Sequence, residues 1–193
     1  MERRRVLAGM AAAGLAALMG DRAEAAQEPD YLELGGPRIA DELMPRYVRV
    51  KPEFEPGSVH VVSGAFLLYY ITEPRRAIRY GVAVGRAELV FRGATVVGRK
   101  LEWPPWRPTA EMIARTPAYA RYADGMPGGP GNPLGARALY LYQNGRDTAI
   151  RIHGTTEPQS IGRAVSNGCI RMVNEHVMDL YERVPVGAPV MVY

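Results

Sequence analysis

From Val59 onward the chain is a succession of short β-type runs, set too close together for crossover helices to fit between most of them. Val59-His60-Val61-Val62 and Phe66-Leu67-Leu68-Tyr69-Tyr70-Ile71 flank Ser63-Gly64, which predicts a hairpin. Arg79-Tyr80-Gly81-Val82-Ala83-Val84 and Ala94-Thr95-Val96-Val97-Gly98 follow. Later come Leu139-Tyr140-Leu141-Tyr142, Ile150-Arg151-Ile152 and Val190-Met191-Val192, with a strong turn signal, Asn144-Gly145, between two of these runs. The spacing disfavours βαβ units and predicts a mainly β fold, an antiparallel sandwich or barrel-like sheet.

One or two short helices interrupt it. Thr109 is placed to cap a helix running through Arg115, ended before Pro117. Asn174 is placed to cap another, whose Val177, Leu180, Tyr181 and Val184 form a core-facing stripe stopped by Pro185. The glycine-rich stretch from Gly125 to Gly135 lacks the Gly-Lys-Ser/Thr ending of a phosphate loop and reads as a substrate-lining loop or a connector. Residues 26–58 are broken by Pro and Gly and read as an arm, from which Tyr47-Val48-Arg49-Val50 would dock as an edge strand. Residues 59–193 are left as the main domain.

The first 25 residues have the make-up of an export signal. Arg3-Arg4-Arg5 is a basic start, residues 6–20 are an apolar run too short to span a bilayer, and Ala23-Glu24-Ala25 is a small-x-small cleavage pattern. The arginines suit either the Sec or the twin-arginine route. Removing the segment takes away four Arg and three acidic residues, so the formal charge of +4 becomes +3. No basic block or interleaving of aromatics with cations argues for nucleic acid. An exported chain normally uses cysteines in pairs, and this one has a single Cys.

That cysteine lies in Ser166-Asn167-Gly168-Cys169-Ile170-Arg171-Met172, downstream of Ile150-Arg151-Ile152-His153-Gly154-Thr155. The pattern puts His153 at a strand end beside a glycine and Cys169 after a glycine that permits a sharp turn. A thiol is a useful nucleophile as thiolate, which needs a base or positive charge nearby. His153 is the candidate base and Arg171 a candidate source of field. The backbone N–H groups of Gly168 and Cys169 are candidate oxyanion donors, and a carbonyl near Gly154 would have to orient the imidazole. Spacing alone leaves the opposite reading open, in which Cys169 is a small buried hydrophobe and His153 is structural. His60 and His176 read as structural or surface residues. One Cys and three scattered His give no metal-ligand spacing.

At these residues the chain resembles the YkuD-type L,D-transpeptidase domain. The resemblance is carried by His153-Gly154-Thr155, by the Ser-x-Gly-Cys-Ile-Arg-Met run, and by Gly128-Gly129-Pro130-Gly131-Asn132-Pro133-Leu134-Gly135 with Ala138-Leu139. Glu157-Pro158-Gln159-Ser160-Ile161-Gly162 and Trp103-Pro104-Pro105-Trp106-Arg107-Pro108-Thr109 extend it over most of residues 59–193. It implies a β-rich sandwich with Cys169 as nucleophile, His153 as base, Gly154 as the residue whose carbonyl orients that base, and Ser166, Gly168 and Arg171 lining the site. Asn167 stands where the family often has His. The implied substrate is a peptidoglycan stem peptide, cleaved with loss of D-Ala and joined to an amine of another stem or of a wall-anchored protein, with no cofactor. The implied setting is the periplasm, with carbapenems as acylating inhibitors. A hydrolase on the same scaffold and a non-catalytic wall-binding module are the alternatives.

Overall fold

The computed structural model describes residues 32–193; the segment read as an export signal lies outside the described residues. Alternating burial is clearest in β2 (Val59–Val62), where Val59 and Val61 are fully buried while His60 and Val62 are not. The expected hairpin joins β2 to β3 (Leu67–Glu73), with Val62 opposite Leu67. Phe66 belongs to the turn, at φ 57°, and not to the strand.

The arm contributes β1 (Arg46–Arg49), an edge strand antiparallel to β4 (Arg76–Gly81). Its Ile39 and Leu43 pack against Ala83, Ile161 and Val173, and Leu32 and Leu34 pack against the main core. The run read as one strand over residues 79–84 divides: β4 stops at Gly81, where a side chain would collide with Leu43, and Val84–Gly85 forms β5. The remaining strands are β6 (Gly93–Glu102), β7 (Arg137–Gln143), β8 (Arg146–His153), β9 (Ala164–Ser166), β10 (Ile170–Arg171) and β11 (Pro189–Val192).

Nine of these strands form one sheet in the order β1-β4-β3-β2-β11-β6-β7-β8-β10, and β5 pairs with β9. The sheet rolls over. Ala83, just past β4, exchanges hydrogen bonds of 2.9 and 2.8 Å with Arg171 of β10, so the two distant parts of the sheet meet. The barrel-like expectation therefore holds, but the antiparallel one needs correction. The pairs β2·β11, β8·β10 and β5·β9 are parallel. Parallel pairing requires a long return of the chain, not a helix as such, and residues 154–169 supply one between β8 and β10 as a loop containing β9. The core inside the roll takes Leu68, Ile78, Leu139, Leu141 and Ile152 from the sheet. Val177, Leu180 and Val184 join it from the helix α2 (Asn174–Arg183) and its end.

The other α-helix, α1 (Ala110–Arg115), starts as expected: Thr109 Oγ1 accepts from the Met112 N–H at 3.2 Å. At α2 the cap position is Val173, with no side-chain capping bond. Asn174, expected as the cap, lies one residue inside, where its side chain serves the site described below. No helix among the described residues is long and apolar enough to cross a membrane.

Within α2, His176 is fully buried with neither ring nitrogen hydrogen-bonded, and burial pulls its pKa down to about 4. Its ring is neutral in the folded protein down to that range, whereas an unfolded histidine takes up its proton near 6.5. The unfolded state therefore binds more protons between about pH 6.5 and pH 4, and the fold loses up to about 3 kcal/mol from this residue as pH falls through that window. His176→Leu removes two unsatisfied polar atoms, so it should gain about 1–2 kcal/mol at pH 7 and flatten the acid dependence. Urea unfolding at pH 7 and pH 5 checks both.

Candidate active site

His153 is the last residue of β8 and is 4% exposed. Its Nδ1–H donates to the carbonyl oxygen of Gly154 at 2.6 Å, which in the neutral ring leaves Nε2 as the acceptor. Burial pulls its pKa down to about 4; the carbonyls of Gly154 and Leu134 push the other way, and the charges of Arg171 and Arg151 add to the fall. At neutral pH the ring is uncharged.

Cys169 precedes β10, which lies parallel to β8 with Arg171 beside His153 and Ile170 beside Ile152. The turn leading to it is built by Ser166 and Gly168. Gly168 adopts φ +117°, a region that favours glycine. Ser166 Oγ accepts from the Gly168 N–H at 3.1 Å and donates to the Cys169 carbonyl at 2.5 Å. That bond commits one of the two backbone donors considered for an oxyanion and leaves the Cys169 N–H as the other candidate.

The thiol of Cys169 faces the Ala149 carbonyl at 3.7 Å. Ala149 sits at φ 62°, unusual for a residue with a side chain, where the β7·β8 register shifts. Asp147 Oδ1 accepts from its N–H at 2.8 Å and holds the irregularity in place. Burial pushes the thiol pKa up; the Arg151 backbone N–H and the charges of Arg151 and Arg171 oppose this, and Asp147 reinforces it. The resting pair is therefore a neutral thiol and a neutral imidazole.

A cleft of about 310 Å³ brings His153, Ser166, Asn167, Cys169 and Arg171 together along one surface. Both guanidinium groups beside the thiol are held by carboxylates. Arg171 pairs with Glu157 at 2.9 Å. Arg151 makes bonds of 2.6 and 2.8 Å to Asp147 and lies 4.1 Å over the Tyr140 ring. Arg151 is not among the residues expected here, although strand alternation places it on the face of His153, opposite Ile150 and Ile152. Trp106, edge-on to Tyr119 at 5.2 Å, adds an aromatic wall.

The glycine-rich stretch reaches the cleft through Pro133 and Leu134. Asn132 is fully buried and sews it together, donating to the carbonyls of Met126 and Pro127 and accepting from the Leu134 N–H. None of the described arm residues lines this cleft.

Asn174 ties the stretch to the candidate base, His153. Its Oδ1 accepts from the Ala136 N–H at 3.0 Å, and a side chain on either Gly135 or Gly154 would overlap that oxygen. Gly154 is thus fixed on one side by Asn174 and on the other carries the carbonyl that holds His153. Asn174→Ala should lower turnover about ten- to hundredfold through misplacement of the ring with little change in KM. Asn174→Asp, which keeps the acceptor oxygen, should recover most of the loss. Steady-state kinetics of both variants test this, and equal losses in the two would refute it.

The chain is similar to known proteins. The family model of the L,D-transpeptidase catalytic domain, YkuD, matches residues 56–192. The Escherichia coli K12 protein named "Probable L,D-transpeptidase YbiS" is 38% identical over 143 residues, 70% of this chain and 45% of its own length. The one from the same strain named "Probable L,D-transpeptidase ErfK/SrfK" is 32% identical over 163 residues, 81% of this chain and 50% of its own. The chain thus spans about half the length of these curated relatives. A solved Brucella melitensis structure, described as a probable carnitine operon oxidoreductase, is 49% identical with a TM-score of 0.55, covering 78% of this chain and 93% of that one. An Enterococcus faecium L,D-transpeptidase, 17% identical with a TM-score of 0.53 over 72% of this chain and 50% of that one, shares the fold. With the family match extending from the arm's end through β11, the chain belongs to the YkuD family of L,D-transpeptidase catalytic domains.

Proposed function

We propose that the protein is an exported L,D-transpeptidase of the cell wall, in which Cys169 is the nucleophile and His153 the base. The observation that carries this reading is the shared cleft, in which a neutral imidazole anchored through Nδ1 ends one strand and a thiol precedes its parallel neighbour. A neutral pair suits general-base attack. His153 Nε2 takes the thiol proton as Sγ bonds to the carbonyl carbon of the third stem residue. The C–N bond to D-Ala then breaks, the leaving amine takes the proton from His153, and a thioester remains. An acceptor amine attacks the thioester, gives its proton to His153, and the thiol is released with that proton returned.

Arg151 and Arg171 line the cleft, and their N–H groups not taken by Asp147 and Glu157 suit a substrate rich in carboxylates, as stem peptides are. The basic and apolar residues before Ala25 support export to the periplasm. The oxidoreductase description of the Brucella relative has less support here: among the described residues the two α-helices are short, and neither follows a parallel strand through a glycine-rich turn. Incubation of the purified protein with disaccharide tetrapeptides, followed by mass spectrometry, is the test. Loss of D-Ala with formation of a 3–3 linked dimer is expected. Release of D-Ala without a dimer would reassign the enzyme as a hydrolase, and unchanged substrate would refute the reading.

A further inference from the structure

A second cleft, of about 570 Å³, shares no lining residue with the first. One wall is the outer face of β2 and β3, and the other is the strap of residues 50–57 that leaves β1. The strap is fastened at both ends: the Val50 N–H donates to the Arg75 carbonyl at 3.0 Å and the Gly57 N–H to the Ile71 carbonyl at 2.8 Å. The cleft is therefore built in advance of any ligand.

Its floor is aromatic and its rim is cationic. Phe54 meets His60 edge-on at 4.7 Å, and Tyr193 stacks on that imidazole at 6.0 Å. Both ring nitrogens of His60 are engaged, with Ser58 Oγ and with the Tyr193 hydroxyl, so the ring is locked in place. Arg49, Lys51 and Arg75 line the same cleft, with no acidic side chain among the lining residues. Lys51 has a loose pairing with Glu53 at 3.6 Å.

Arg75 has an unusual backbone conformation for its side chain. It is the second residue of the two-residue turn between β3 and β4, after Pro74, and its φ is +66°. A turn of this kind favours glycine there, yet the position holds an arginine that lines the cleft. Strain of that sort marks a functional constraint when the structure around it holds the residue in place.

We propose that this cleft binds an anionic polysaccharide, with sugar-ring faces on Phe54 and Tyr193 and carboxylate or phosphate groups on Arg49 and Arg75. Aromatic faces take the apolar face of a sugar ring, and guanidinium groups take its anion through charge-assisted hydrogen bonds. The choice of a saccharide among anionic ligands rests on the cell-wall reading above; the charge and the aromatic floor do not. Bound there, a wall polymer would hold the enzyme beside its substrate without touching the reacting groups.

Calorimetric titration of the full chain with a short oligogalacturonate, and with a neutral chitin oligosaccharide of similar length, tests the proposal. The anionic oligomer should bind, more weakly as salt is raised, and the neutral one should bind at least tenfold more weakly. Arg75→Gly should weaken binding at least tenfold while its Tm stays level or rises, because glycine relieves the turn. Arg49→Ala, at an exposed position, should weaken binding likewise. Carbapenem acylation of Cys169 should be unchanged in both variants. Equal binding of the two oligomers, no binding of the anionic one, or wild-type affinity in Arg75→Gly would overturn the proposal. Loss of acylation in the wild-type chain would instead count against the transpeptidase reading.

Discussion

Cys169→Ala should abolish D-Ala release and dimer formation, a loss of at least about 10⁴-fold, while leaving the fold intact. Removal of a nucleophile leaves only binding and positioning to accelerate the reaction. The residue is only partly buried, and its thiol's hydrogen bond to Ala149 is a long one, so truncation should cost the fold little. The turn around it is held by Ser166, which bonds to the backbone of residues 168 and 169 and not to the thiol. Intact-mass spectrometry after incubation with a carbapenem, with a thermal melt of the same sample, separates the two effects. An adduct should form on the wild-type chain and not on the variant. Turnover by Cys169→Ala at a wild-type rate would sink the mechanism.

The second large effect is expected at His153. His153→Ala should slow acylation about 10²- to 10⁴-fold at pH 7, the usual contribution of a positioned general base. The pH dependence carries the sharper test. The imidazole acts as a base only when unprotonated, and burial holds its pKa at about 4. Wild-type acylation should therefore persist as pH falls through 6.5 and decline only toward 4. In His153→Ala the rate should still be rising with pH where an ordinary cysteine has already ionised, because desolvation raises the thiol pKa. Stopped-flow acylation across the pH range checks both limbs. A wild-type midpoint near 6.5 would show that the ring is less shielded than the structure places it. Folding must be followed in parallel, since His153 and His176 both favour the neutral form and both weaken the fold on the acid side.

Much of this was legible from local pattern. Runs of β-favouring residues between turn signals located β2, β7 and β8, and Asn144-Gly145 located the hairpin between the last two, with both residues at positive φ. Thr109 declared the start of α1. Long-range pairing was not legible. Nothing near Val59 announces that its parallel neighbour is Val190, and two-residue strands such as β5 and β10 are too short to carry any periodicity. Asn174 shows how a local rule loses to tertiary demand. Its type and position suit a helix cap, but the Ala136 N–H claims its oxygen, and Val173 takes the cap position without a side-chain bond. Within the site, Cys169 and His153 stood out because thiol and imidazole are chemically distinctive. Arg151 did not, because an arginine on a strand is usually a solvated residue, and only the fold brings Asp147 and Tyr140 around it.

The place of β11 in the sheet has a consequence for how the protein is made. It lies between β2 and β6, so residues 189–192 join the half that carries the arm to the half that carries the candidate active site. Until those residues have left the ribosome, each half presents an open edge with unpaired backbone groups, and neither half has its full share of the core. Pairing residues 189–192 with strands that lie about 90 and 130 positions earlier in the chain is a contact of high sequence separation, which slows folding.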